Sequence, residues 1–248
     1  MKNKIYKFLT IFFVVVVFTN CAEEELDPLN TKNFQLNTYM DGYHAKNFPQ
    51  VSAEKQGNPS VYIDLSSGLK YAFNSNENNN TDIIEALVGA LENGHDWYEV
   101  NNKEINLIKG DRYNLFNKVT DTNSFGGIFA PLGDAVDLIV NHTNDALFIT
   151  DYEEYTYDGK EYGSEEKAPY LSEPFIKWME DGNSIDFIYS DRFTETENND
   201  AKKTLYFTVF SYGKEKTMLT EIETALDSRG IIVNKFSLDL STFSAQVK

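Results

Sequence analysis

Two runs of consecutive apolar residues, Val61-Tyr62-Ile63 and Ala146-Leu147-Phe148-Ile149, constrain the fold of this chain more than any other feature. Neither run alternates apolar with polar residues. A strand built from either one is buried on both faces, so the sheet it joins needs helices on both sides. The segments between and after the runs supply them. Thr81–Asn93 carries Ile83, Ile84, Leu87, Val88 and Leu91 on one helical face and meets a stop at Gly94. Leu132, Ala135, Val136 and Ile139 recur at helical spacing behind Pro131, a favoured residue at a helix start. "SEPFIKWMEDG" predicts a helix with Ser172 as N-cap, Pro174 in its first turn and Gly182 as its stop. "KTMLTEIETALDSRG" predicts another, ending at Gly230. "DWYEVNNKEINLI" reads as two strands joined at Asn101-Asn102, and "SIDFIYS", "TLYFTVFS" and "IIVNKFSLDL" read as further strands. Helices alternating with buried strands predict an α/β fold: a mostly parallel central sheet, Rossmann-type, with helices on both faces.

Both apolar runs end on an acid. Asp64 is followed by Ser66, Ser67 and Gly68, and Asp151 follows Thr150. Ligands of doubly wound sheets bind beyond the carboxyl ends of the strands, where the connections change direction. Asp64 and Ser66 are also favoured helix-capping residues, so plain turn chemistry competes with a site there. One carboxylate with two hydroxyls suits a hard cation, Mg²⁺ or Mn²⁺ before Ca²⁺, and leaves positions for water or a ligand. Three histidines, His44, His95 and His142, are dispersed and pair with no cysteine at zinc spacing. Gly126-Gly127 is too short for a phosphate cradle, and no "GxSxG" elbow occurs.

The amino-terminal segment reads differently. Lys2, Lys4 and Lys7 precede an apolar stretch from Phe8 to Phe18, shorter than the ~20 residues of a spanning helix. Residues 1–20 are therefore expected to be a secretory signal. Cys21 is the one cysteine in the chain and follows that stretch at once, which excludes an intrachain disulfide. "FTNCAEEE" resembles a bacterial lipoprotein box, with Thr19-Asn20 in place of the usual small pair. That resemblance implies a lipid-modified Cys21. The acids Glu23, Glu24 and Glu25 resemble the export signal of Bacteroidetes surface lipoproteins, which implies a surface-exposed anchor in a Gram-negative outer membrane. Residues 21–58 read as a tether without periodicity, and 59–248 as a single domain. Removing residues 1–20 takes away three lysines and moves the net charge from −17 to about −20. Such a chain is a poor partner for nucleic-acid phosphates.

The order of elements, strand, helix, two-strand hairpin, helix, strand, helix, strand, strand, helix, resembles the von Willebrand factor A fold. In that family the first strand ends in Asp-x-Ser-x-Ser, a later loop adds a threonine, and a second Asp ends the fourth strand, often within Thr-Asp-Gly. Together they form a metal-ion-dependent adhesion site, whose open position an acidic group of the partner fills. Asp64 and Ser66 match the first motif, with Gly68 where its last serine stands and Ser67 one place early. Thr150-Asp151 matches the second, with Tyr152 where glycine is common. Thr120, Thr122 or Ser124 is the loop hydroxyl, with Thr122 taken as the expected ligand. The resemblance thus implies a metal site of Asp64, Ser66, Ser67, Thr122 and Asp151. Tyr152, Glu153 and Tyr155 open a tyrosine-rich acidic stretch that suits a recognition surface beside it. A binding protein with a protein or glycan partner is expected before an enzyme. The alternatives are a metal-dependent phosphatase or esterase using Ser66 or Ser67, and a structural envelope subunit whose metal site is degenerate.

Overall fold

The computed structural model describes residues 57–73, 79–102, 104–127, 130–153, 169–190, 192–196, 199–238 and 240. Cys21, the signal segment, nearly all of the tether and Tyr155 lie outside them. In chain order the elements are β1 (Ser60–Asp64), α1 (Asn80–Leu91), β2 (Asp96–Asn101), β3 (Glu104–Leu107), α2 (Arg112–Thr120), α3 (Leu132–Asn141), β4 (Ala146–Thr150), α4 (Pro169–Glu180), β5 (Ser184–Tyr189), β6 (Phe193–Thr196), β7 (Asn199–Lys203), β8 (Tyr206–Ser211), α5 (Thr217–Ser228) and β9 (Asn234–Leu238). Among the described residues no helix is long and apolar enough to cross a membrane.

Seven strands form one sheet in the order β3-β2-β1-β4-β8-β5-β9, and β6 and β7 pair as a separate ribbon. The protein is α/β, with helices on both faces of the sheet. The expected mostly parallel sheet is corrected to a mixed one. Among the described strands only β1 with β2 and β1 with β4 pair in parallel, and the pairs β2–β3, β4–β8, β5–β8 and β5–β9 are antiparallel. The reason lies in β8. It returns beside β4 and separates it from β5, so β5, whose inner four residues are buried, has antiparallel neighbours on both sides.

Side chains alternate across β1 as strand geometry requires. Val61 and Ile63 meet α1, α2 and α5 on one face, while Tyr62 meets α3 and α4 on the other. Chain leaving β1 therefore enters a helix on the first face, and chain leaving β4 enters α4 on the second. The gap between β1 and β4 is a topological switch point, the place where such sheets form a crevice.

Three elements depart from the sequence expectation. Helix α4 begins at Pro169, so Ser172 and Pro174 lie inside it rather than at its cap. Phe175, Trp178 and Met179 hold it on the sheet, enough buried surface to tolerate the backbone hydrogen bond that Pro174 cannot donate. Helix α2 has no apolar periodicity to mark it in the sequence. It is mostly polar, buries only Leu115 and Val119, and starts where Asp111 accepts from the Asn114 N–H. The β6–β7 ribbon leaves no pattern in the sequence, because "FTETENNDAKK" offers a single large apolar residue. That residue, Phe193, is fully buried in the core and anchors the ribbon.

Candidate functional site

Asp64 closes β1 at the level of Thr150 on β4, one pair beyond Ile63 and Ile149. Its side chain is wholly buried, and its oxygens are satisfied from two directions. Oδ1 accepts the Ser66 N–H at 2.8 Å, an Asx turn that bends the chain out of the strand. Oδ2 accepts the Thr150 hydroxyl at 2.9 Å. The Ser66 side chain also favours the charged form of Asp64. Burial pushes the Asp64 carboxyl above its ordinary range, against these hydrogen bonds and the charge of Lys203.

Asp151 follows β4 with its side chain 4 % exposed. Burial and the neighbouring Asp64 charge push its carboxyl up to about 7, while Lys203 and the Glu153 N–H, which donates to Oδ1 at 3.0 Å, act the other way. Lys203, from the end of β7, is the group that joins the acids. Its Nζ lies 3.3 Å from Asp151 Oδ2 and 2.7 Å from Glu153 Oε2, and its side chain is 6 % exposed. A buried acid needs a partner charge or a proton, and this cluster uses both means.

The second wall of the crevice comes from the segment after α2. Gly127 bridges Ser66 in parallel register, and its carbonyl accepts the Ser67 N–H at 2.7 Å. A Cβ at Gly127 would stand 1.7 Å from Asn101 Oδ1 at the end of β2, so this close approach requires glycine. Ser67 itself is exposed on the rim. Thr122 sits in the 3₁₀ turn Thr122–Ser124, which Asp121 caps. The hydroxyl that reaches Asp64 from outside the β1 loop is that of Thr150, not Thr122.

Tyr152 takes a left-handed backbone, φ 58°, at the position where the resembled motif commonly has glycine. Its ring turns inward among Phe148, Phe175, Phe187 and Tyr206, and its hydroxyl donates to Thr208 Oγ1 at 2.8 Å. Tyr152 thus packs its ring against the core and is half-buried. Glu153 is turned to Lys203 and is 26 % exposed.

Of the expected site residues, Asp64, Ser66, Asp151 and Glu153 come together, Ser67 lies on the rim, and Thr122 stands in the adjoining turn. Thr150 and Lys203 were not foreseen as site residues. Thr150 was legible as the neighbour of Asp151, but its reach to Asp64 depends on strand register. For Lys203 the only signal was that two buried acids demand a cation; none of the 22 Lys and Arg residues is marked by spacing.

The residues do not fit a divalent ion as they are arranged. The last hydroxyl of the adhesion motif is missing at Gly68, and a Cβ there would stand 3.2 Å from Lys203 Nζ. Positive charge already faces Asp151 and Glu153. Among the described residues no group of three or more His, Cys, Asp or Glu side chains is placed to hold a metal. The sequence matches no protein-family model and no curated protein, and the fold matches no solved structure.

Proposed function

We propose that this chain is a non-catalytic binding protein of the cell envelope, anchored through lipid at Cys21. On this reading its von Willebrand A-like domain holds a protein or glycan partner at the loops over the carboxyl ends of β1 and β4. The outer membrane, with the domain on the cell surface, is the location that the acidic run behind Cys21 favours. One observation carries the reading: Asp64 and Asp151, from two separate strands, meet at the switch point of the sheet. The left-handed backbone at Tyr152 supports the family resemblance, because a bulky residue there adopts the conformation that glycine takes more readily. In this form of the site the partner is engaged without a bridging divalent ion, which joins the leading expectation to that of a degenerate metal site.

The hydrolase alternative loses ground on geometry. Ser66 is buried, and its backbone N–H is tied to the Asp64 carboxylate. His95 precedes β2 and His142 precedes β4, at the amino ends of the strands and away from Ser66. Neither is placed to activate it as a base.

Ser67 and Gly126 are exposed on the rim, and a Cβ at Gly126 meets open space. Ser67→Arg and Gly126→Arg are therefore expected to fold normally and to lose retention on glycan arrays and cross-linking to envelope proteins, both measured with the full chain. Retention unchanged in both variants would sink the proposal. Turnover of simple phosphate or acyl esters that Ser66→Ala abolishes would replace it with the hydrolase.

A further inference from the structure

We propose that Lys203 is the resident cation of the crevice, a tethered ammonium in the place of the divalent ion that the adhesion-type resemblance implies. Three independent features converge on it. The ammonium contacts Asp151 and Glu153, at 3.3 and 2.7 Å, and its charge reaches Asp64. It stands beside Gly68, the position from which the motif would extend its last ligand, and a Cβ there would lie 3.2 Å from Nζ, closer than ordinary van der Waals contact. It is delivered by the β6–β7 ribbon, in which Lys203 pairs directly with Phe193. Phe193 is fully buried, so the residue opposite the lysine is locked into the core and the ammonium is held in register.

A lysine is a compact point charge, able to neutralise carboxylates without the octahedral oxygen shell that Mg²⁺ or Mn²⁺ demands. With Gly68 contributing no oxygen, the crevice has lost a ligand and gained a charge. A divalent ion entering it would meet a like charge only a few ångströms away in a poorly solvated site. Glycine at 68 and lysine at 203 are thus two halves of one replacement. The inference deepens the binding role proposed for this crevice: partner recognition there is independent of divalent metal and insensitive to chelators.

The test uses the full chain, with Mn²⁺ as the probe. Titrated to about 10 mM, beyond the ~10⁻³ M of weak extracellular cation sites, the unaltered protein should give no saturable heat. Its thermal midpoint should be the same in EDTA and in Mn²⁺. Lys203→Met keeps the bulk of the stem and removes the charge. That variant should unfold at a lower temperature in EDTA, regain stability with Mn²⁺, and lose the regain when Asp64→Asn is added. One saturable Mn²⁺ per unaltered chain overturns the inference, as does a Lys203→Met protein as stable in EDTA as the parent. Should Lys203→Met not fold, the titration and the EDTA comparison on the unaltered chain decide the matter. These measurements read the cation alone, whereas the rim variants read the partner, so either idea can fail without the other.

Discussion

Lys203 and Lys216 each bring an ammonium to an aspartate buried by the sheet, one at the end of its parallel half and one in its antiparallel half. Lys216 grips Asp186 on β5 through both oxygens, at 3.1 and 2.8 Å, and the Ser184 and Ser237 hydroxyls donate to the same carboxylate. One acid meets one lysine there, and the lysine remains 38 % exposed. Lys203 is 6 % exposed and serves Asp151, Glu153 and the nearby Asp64. A pair that only stabilises the fold has reason to match its charges, as the Asp186 pair does. Two carboxylates contact one lysine, the third acid feels its charge, and two of the three are pushed toward their protonated form, a local conflict of the kind concentrated at functional sites.

The comparison breaks most readily on the lysines themselves. Removing one partner of a buried pair typically costs about 3–5 kcal/mol, and an exposed one about 1 kcal/mol or less. Lys203→Met is therefore expected to lower the urea midpoint more than Lys216→Met, whose ammonium is half-exposed and whose carboxylate keeps the Ser184 and Ser237 hydroxyls. Equal losses would show that the two clusters do the same work.

A smaller effect tests the Lys203 cluster by pH. The Asp151 carboxyl is raised to about 7, so the folded state holds its proton over a range where the unfolded chain has released it. The resulting stability is fully present below about pH 4 and is lost as the pH rises to about 7. The urea midpoint of the parent should fall across that window, and Asp151→Asn should flatten the fall. An identical pH profile in the variant would remove Asp151 from the account.

The smallest effect sharpens the border between site and core. Tyr152→Phe keeps the ring among its aromatic neighbours and gives up the hydroxyl's bond to Thr208. A loss of about 1 kcal/mol is expected, with partner retention unchanged. Loss of retention by Tyr152→Phe would return this residue to the recognition surface.

Periodicity alone was enough for α1, α3 and α5, whose apolar faces are strong, and for the hairpin at Asn101-Asn102, where Asn102 takes a left-handed turn conformation, φ 50°. It was not enough for α2 or for the β6–β7 ribbon. Each buries few apolar side chains, so neither leaves a pattern to read. The first half of the site was legible for the same reason that the strands were. An acid that ends an apolar run announces itself, as Asp64 and Asp151 do.

The sequence by itself determined that buried strands end on acids and that helices cover both faces of an α/β sheet. Those properties are local: they follow from which residues stand next to one another or one helical turn apart. The tertiary structure alone decided that β8 returns antiparallel beside β4, that Thr150 rather than Thr122 reaches Asp64, and that Lys203 supplies the positive charge. The physical reason is that charge compensation acts through space. A buried carboxylate requires a cation within a few ångströms, and where along the chain that cation comes from is settled only when the ribbon carrying it folds over the strand ends.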